Sequence, residues 1–341
     1  MSKKTNGNQM IRISTGVIIS ALGLVGCAGA STGDAEEWPT NSIRWVIPTP
    51  PGGGFDQVTR AIQPYLEEEL GVDVIVESQD GGAFAVAPTN VYKTGGDCQT
   101  IMTHGIPHLH FSHMTQDTEY TYEDFYPLGA LTHELVAARV LTDAPWETFD
   151  ELLDEARSRP GELTVGVSGL VTNFYAALAE LEDVADVDFN IVPYDGGGPN
   201  TNALLSGEVD FVYEGIFNSL ELEDDTRILA VQVEENNWPE VTQDAPTVGE
   251  VIGKDLHSFS STYGAYVSEE CREEHPDRYE TLSEALKKAM SNDDYLEKID
   301  DLGETDRLIN EQYTPAEYDE LNKEEEVAIE QFLDDNPELN S

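Results

Sequence analysis

Short runs in which apolar and polar residues alternate recur along the chain, and segments with helical apolar spacing follow them. Ile43, Trp45 and Ile47 alternate with other residues and predict a strand, and residues 58–66 then carry apolar side chains at helical spacing. Further strands are predicted over residues 72–77, 99–103, 163–167, 187–192, 209–213 and 227–233. Strands that alternate with helices are typical of α/β architecture with parallel sheets.

Two β-like runs, residues 128–142 and 258–267, are longer than a typical strand of about five or six residues. Their length favours crossovers between two domains. We therefore predict a first lobe made of residues 38–138 and 262–336 and a second lobe made of residues 139–261. Apolar spacing also predicts helices over residues 146–157, 174–181, 276–290, 294–302 and 315–332.

The first predicted strand ends in a loop that is built to expose main-chain N–H groups. Pro50 and Pro51 cannot donate to a sheet, Gly52–Gly54 have no side chains, and Asp56 offers an N-cap carboxylate to the helix that follows. A strand, a glycine turn and a helix start together direct free N–H groups at an anion. A tight turn that holds no ligand is the alternative.

The residues that are absent from this loop indicate which type of anion it binds. No lysine or arginine stands between Gly52 and Arg60, so the loop has no phosphate-binding motif. Gln57 stands where a dinucleotide-binding loop would have its last glycine. A carboxylate held by main-chain amides fits this loop better than a nucleotide phosphate does.

A second loop repeats this arrangement. The predicted strand over residues 163–167 runs into Ser168–Asn173, and a helix follows. Ser168 and Thr172 add hydroxyl groups, and Tyr194 precedes a third glycine-rich turn at residues 196–198. Two such loops, one on each lobe, are able to hold a small anion between them.

The charge is strongly acidic, with 18 basic against 67 acidic residues and a net charge of −49. Binding to nucleic acid or to anionic membranes is excluded, because both need positive charge. The acidic residues are spread along the whole chain and lysine is scarce, as in halophilic proteins, including haloarchaeal ones. A disordered acidic chain is disfavoured because apolar periodicity runs through the sequence.

The first 26 residues carry Lys3, Lys4 and Arg12 but no acidic residue, and a short apolar run ends at Cys27. This pattern predicts a lipoprotein signal peptide over residues 1–26, with Cys27 as the lipidated N-terminus. Residues 27–37 are predicted to form a flexible tether. An uncleaved anchor is the alternative, and both readings place the protein outside the cytoplasm and attached to the cell membrane.

Cysteine and histidine leave two questions open. Cys98 and Cys271 either pair, as an oxidising location permits, or remain separate thiols. Four histidines fall within residues 104–113, which suggests either a zinc site or a polar loop at the mouth of a cleft. Neither their spacing nor a nearby carboxylate favours a metal, so no metal and no cofactor is predicted. Ser168 lacks the sequence context of a nucleophile, so no enzyme is predicted.

Five segments, in order, resemble the receptors of tripartite tricarboxylate transporters, known as the Bug or TctC family. The first is IRWVIPTPPGGGFDQVTR, with its strand, its GG-x-x-D sequence and its helical arginine. The others are EDFYPLG, PGELTVGVSG, VPYDGGGPNTNALLSGEVDFVYE, and RILAV followed by WPEVTQDAPTVGE. The resemblance covers nearly all of the chain after the signal peptide.

The resemblance implies a type II periplasmic-binding-protein fold, in which two α/β lobes joined by two crossover strands close on a ligand. It implies that main-chain amides and water hold a ligand carboxylate, and that a large and a small membrane subunit of a permease are partners. The expected ligand-binding residues are Thr49, Gly52, Gly53, Gly54, Phe55, Asp56, Ser168, Gly169, Thr172, Asn173, Tyr194 and Gly196. We expect a monomeric receptor; a zinc-binding surface lipoprotein and a sensory receptor are the alternatives.

Four departures from the family pattern bear on the ligand. Pro50 and Pro51 remove amide donors, and Phe55 stands where the family prefers a small or hydroxyl residue. Residues 170–171 make the second loop more apolar, and Asp195 stands where a lysine is common. These changes disfavour a tricarboxylate and favour a smaller or partly apolar carboxylate.

Overall fold

Ten strands form two separate five-stranded sheets within the part of the chain that the structure describes. The strands are β1 (Ile43–Ile47), β2 (Val74–Ser78), β3 (Thr100–Ile106), β4 (Phe125–Glu134), β5 (Val136–Leu141), β6 (Thr164–Val167), β7 (Asn190–Pro193), β8 (Phe211–Gly215), β9 (Thr226–Val231) and β10 (Ser261–Ser268). The order in the first sheet is β2-β1-β3-β10-β4, and the order in the second is β7-β6-β8-β5-β9.

The structure is a computed structural model that describes residues 38–170, 172–216, 222, 224–256, 258–301, 313–335 and 337. The chain divides into Met1–Glu37 and a second unit, Trp38–Ser341, to which all described residues belong. The predicted signal peptide, the tether and Cys27 therefore lie outside the described residues. No helix within the described ranges is long and apolar enough to cross a membrane.

Helices cover the sheets and connect their parallel strands. They are α1 (Gly54–Leu70), α2 (Val86–Thr94), α3 (His108–Met114), α4 (Phe149–Ser158), α5 (Asn173–Ala185), α6 (Gly197–Ser206), α7 (Val248–Ile252), α8 (Glu269–Glu274), α9 (Pro276–Met290), α10 (Asp293–Asp301) and α11 (Pro315–Asp335). The predicted α/β class is confirmed, and the predicted strands and long helices are found with shifts of a few residues at their ends.

The two sheets have the same design. β1 is parallel to β2 and β3, and β10 runs antiparallel between β3 and β4. In the second sheet β6 is parallel to β7 and β8, and β5 runs antiparallel between β8 and β9. In each sheet this antiparallel strand is the first one that the chain forms after it crosses from the other sheet: β5 in the second sheet and β10 in the first.

The first crossover is very short. Only Leu135 separates β4 from β5, although these strands belong to different sheets. The long β-like run over residues 128–142 is therefore two strands in two lobes, as its length indicated. The return crossover follows α7 and leads into β10, and Ser261 at its end pairs with Glu134 at the end of β4. The two crossovers between the lobes therefore lie side by side at the Ser261–Glu134 pair.

Each sheet has its own apolar core. In the first lobe Trp45 and Ile47 of β1 pack with Ile62 and Leu66 of α1, and these side chains are almost completely buried. A disulfide joins Cys98 and Cys271 beside this core, with Cα atoms 5.2 Å apart. In the second lobe a corresponding cluster surrounds Phe211. Burial of each large apolar side chain contributes about 1.5–3 kcal/mol.

Candidate functional site

A cavity of about 380 Å³ lies between four loops, two from each sheet. Pro48 and Pro50 follow β1, and residues 80–84 follow β2. Residues 168–170 and Thr172 follow β6, and residues 193–196 lie at the end of β7. Because β1 and β2 are parallel, as are β6 and β7, all four loops lie at carboxyl ends of strands. Ligands of open α/β sheets bind at such ends.

Five of the residues expected to bind ligand line this cavity, namely Ser168, Gly169, Thr172, Tyr194 and Gly196. None of the expected residues of the first loop lines the cavity. Asn173 also does not line the cavity. All of the expected residues that line the cavity thus belong to the second lobe, whereas the sequence analysis expected both lobes to contribute.

Asp56 binds its own loop. Its Oδ2 accepts a hydrogen bond of 3.0 Å from the Gly52 amide, and its Oδ1 pairs with Arg60 Nε at 2.6 Å. The residue at the N-cap is Gly53, so the prediction that Asp56 would cap α1 is wrong by three positions. An internal carboxylate thus occupies the amide that the glycine turn was expected to offer to a ligand.

Phe55 is buried and faces the interior of the first lobe. Its ring centroid lies 4.2 Å from that of Tyr263, 5.5 Å from that of His108 and 6.4 Å from that of Phe84. Phe84 itself lines the cavity. Phe55 therefore supports the wall of the cavity from behind.

The two lobes touch at the first loop. A Cβ atom placed on Gly198 at the start of α6 would lie 3.4 Å from the carbonyl oxygen of Gly52. A Cβ on Gly53 would instead contact Thr49 of its own loop. Gly52 and Gly53 thus lie against the start of α6, and Thr49 also lies close to Gly196. The contact closes one side of the cavity.

In the second loop, hydroxyl groups are bound to protein acceptors. Ser168 Oγ donates to Glu214 Oε2 at 3.0 Å. Thr172 caps α5 by accepting from the Tyr175 amide at 3.2 Å, and it donates to the Gly169 carbonyl at 3.1 Å. Asn173 is buried and donates to the Phe259 carbonyl on the return crossover, which fixes the start of α5 to that segment. Val171 lies outside the described residues.

Glu214 lies beneath the second loop and is 2% exposed. Its carboxylate accepts from Asn200 Nδ2 at 2.7 Å and from Thr201 Oγ1 at 3.0 Å, in addition to Ser168. Burial raises the pKa of Glu214 to about 7, although its three donors oppose that rise. Gly166 makes room for this arrangement, because a Cβ there would lie 2.1 Å from Asn200 Oδ1. Sequence analysis did not assign Glu214 to the site, although the segment VPYDGGGPNTNALLSGEVDFVYE of the family resemblance ends in it.

The turn after β7 adds an aromatic and an acidic side chain. Tyr194 donates its hydroxyl proton to Glu208 Oε1 at 3.1 Å. Gly196 has a φ of 95°, a conformation that favours glycine. Asp195 is exposed and lines the cavity.

The loop after β2 was not assigned to the site by the sequence analysis. Asp80, Gly81, Ala83 and Phe84 all line the cavity. Ala83 and Phe84 have φ values of 47° and 68°, which residues with side chains seldom adopt. The signal was available in the sequence: β2 was expected to lie parallel to β1, which places both following loops at one edge.

The four histidines lie on β3 and α3 rather than in a polar loop; His104, His108 and His110 are buried, and His113 is half-buried. His104 bonds the Phe84 carbonyl at 3.2 Å through Nε2, and burial lowers its pKa to about 4. His108 packs among aromatic rings, and burial lowers its pKa to about 3. Among the described residues no group of three His, Cys, Asp or Glu side chains is arranged to hold a metal.

The family model and the related sequences indicate the same protein family. The family model of the tripartite tricarboxylate transporter family receptor, TctC, matches residues 58–332. A UPF0065 protein of Agrobacterium vitis is 26% identical over 326 residues, which cover 95% of this chain and 91% of that protein. A UPF0065 protein of Pseudomonas sp. strain P51 is 25% identical over 79% of each chain.

Solved structures share the fold. MatC from Rhodopseudomonas palustris, with bound malate, has a TM-score of 0.75 at 24% identity and covers 87% of this chain and all of its own. A second R. palustris protein, with adipate, has a TM-score of 0.74 at 22% identity over 87% and 97% of the two chains. The periplasmic binding protein BugD has a TM-score of 0.73 at 18% identity over 86% and 98%. The predicted two-lobe periplasmic-binding-protein fold is therefore confirmed.

Proposed function

We propose, because this chain belongs to the TctC family of tripartite tricarboxylate transporter receptors, that it captures a small organic carboxylate between its two lobes. The observation that carries this function is the cavity between four loops at the carboxyl ends of parallel strands. Loops in that position present main-chain N–H groups near helix starts, and such groups bind anions without a charged side chain. A volume of about 380 Å³ suits a small ligand.

Two structural neighbours support the ligand class. One holds malate and the other adipate, and both ligands are small dicarboxylates. The shared fold suggests that the ligand of this chain carries at least one carboxylate. The apolar Leu170, which is 45% exposed and lines the cavity, favours an acid with some apolar surface.

Capture is followed by delivery to a permease with a large and a small membrane subunit. The receptor acts as a monomer outside the cytoplasm, anchored through a lipid on Cys27 after removal of residues 1–26. Its acidic composition adapts it to concentrated salt. It does not catalyse a reaction on its ligand: Ser168 bonds to a buried carboxylate rather than to a histidine base.

A thermal-shift screen in molar salt tests this function. The panel contains mono-, di- and tricarboxylates, aromatic acids and amino acids. A ligand at about 100 times its dissociation constant should raise the free energy of unfolding by about 2.7 kcal/mol. Leu170→Glu should abolish the shift by adding a negative charge to the cavity. Leu205→Glu, on an exposed side chain of the same lobe, is the matched control and should leave the shift intact. If no carboxylate of the panel stabilises the protein, the proposed function is refuted.

A further inference from the structure

Three residues that line the cavity carry hydroxyl groups, and none of these hydroxyls has a proton left for a ligand. Ser168 donates to Glu214, Thr172 donates to the Gly169 carbonyl, and Tyr194 donates to Glu208. Each hydroxyl carries one proton and two lone pairs. None of these three side chains therefore has a hydroxyl proton to donate to a ligand.

The charged side chains of the cavity are also acceptors. Asp80 of the first lobe and Asp195 of the second line it, and both are exposed. Neither forms an ion pair or a hydrogen bond with another described residue. No described lysine, arginine or histidine lines the cavity. A ligand carboxylate about 4 Å from either aspartate would meet a repulsion of roughly 1 to 4 kcal/mol, depending on the local dielectric.

We propose that the ligand supplies the missing donors and positive charge itself, as a small carboxylic acid that also bears a protonated amine. Its carboxylate is held by loop amides, and its ammonium group lies near Asp80 and Asp195. The ring of Tyr194 offers a further surface to a cation. This inference rests on the proposed function and narrows it from carboxylates to zwitterions.

Ligand series on one carbon skeleton test the inference directly. Each amino acid of the panel is titrated beside its 2-hydroxy analogue and its analogue without the amine, at one fixed salt concentration, by calorimetry. We expect the amino acid that binds best to bind at least tenfold more tightly than both analogues. Equal or tighter binding of the hydroxy acid or of the plain acid would overturn the inference.

Two variants locate the ammonium group. Asp195→Asn and Asp80→Asn should each weaken binding of the amino acid about tenfold and leave binding of its amine-free analogue unchanged or improved. Asp183→Asn removes the same charge from an exposed position on α5 outside the cavity and should change neither affinity. If the two cavity variants change neither affinity, or change both equally, the aspartates do not bind an amine.

The outcomes separate the inference from the function on which it rests. Binding of dicarboxylates such as malate or adipate, with no binding of amino acids, overturns the inference and leaves carboxylate capture intact. Binding of amines that lack a carboxylate, or of none of the acids, overturns the proposed function as well. Tight binding of an amino acid that is lost in Asp195→Asn supports both.

Discussion

At the scale of single residues, Glu214 determines whether the Ser168 hydroxyl is able to donate a hydrogen bond to the ligand. The ionised carboxylate holds the Ser168 proton, so Ser168 has no proton to donate to a ligand. Burial makes that ionised state unfavourable and raises the pKa to about 7. Glu214 therefore affects ligand binding through Ser168, although Glu214 itself does not line the cavity.

Replacement of Glu214 by glutamine should alter the pH dependence of stability. The folded-state pKa lies above the ordinary value of 4.5, so the folded state binds more protons than the unfolded state between those values. The contribution of Glu214 to stability therefore falls as pH rises from 4.5 to 7. Glu214→Gln should be more stable than the parent by roughly 2 to 3 kcal/mol at pH 8 and about equal to it near pH 4.5.

Urea unfolding of both proteins at pH 4.5 and pH 8 in the same salt provides the measurement. The Ser168 and Thr201 hydroxyls are able to rotate and accept from the glutamine amide, so the fold should survive. An equal difference in stability at both pH values would show that the pKa of Glu214 is not raised.

At the scale of elements, periodicity in the sequence was enough to predict the strands, the longer helices and the first crossover. Ile43, Trp45 and Ile47 alternate because one face of β1 packs on α1. The binding loops were predicted less well. Sequence does not show which amides are already occupied, and Asp56 occupies that of Gly52. The loop at residues 80–84 was also left out of the site, although the expected parallel arrangement of β1 and β2 places the loops that follow them at one edge of the sheet.

The contact between α6 and the first loop is an element-scale feature that can be tested. A valine at Gly198 would push its methyl groups into the carbonyl of Gly52 and hold the lobes apart. Gly198→Val should weaken binding of the ligand at least tenfold, with little change in the unfolding midpoint of the free protein. Calorimetry with the ligand identified in the screen, together with thermal unfolding of the free protein, provides the measurement.

Asn202→Val is the control for this substitution, because Asn202 is exposed on the same helix. It adds a similar side chain away from the other lobe and should leave affinity unchanged. Full affinity in Gly198→Val would mean that the lobes do not need this contact when the ligand is bound.

At the scale of the whole molecule, the net charge of −49 makes the folded chain repel itself. Added salt shortens the screening length from about 10 Å at 0.1 M to about 3 Å at 1 M. The unfolding temperature should therefore rise between 0.1 M and 2 M KCl, and binding should tolerate the same range. Thermal unfolding and titration across that range provide the measurement. A constant unfolding temperature, or a steep loss of affinity towards molar salt, would contradict this expectation.

The most direct test of the account is a crystal structure of the protein with its best-binding acid. Its central claim is that main-chain donors from loops of both lobes, without lysine or arginine, hold a ligand carboxylate. The account predicts carboxylate oxygens within about 3.2 Å of main-chain nitrogens from loops of both lobes, directly or through one water. A carboxylate bound by a basic side chain, or bound away from the cavity between residues 80–84 and 168–172, would contradict it.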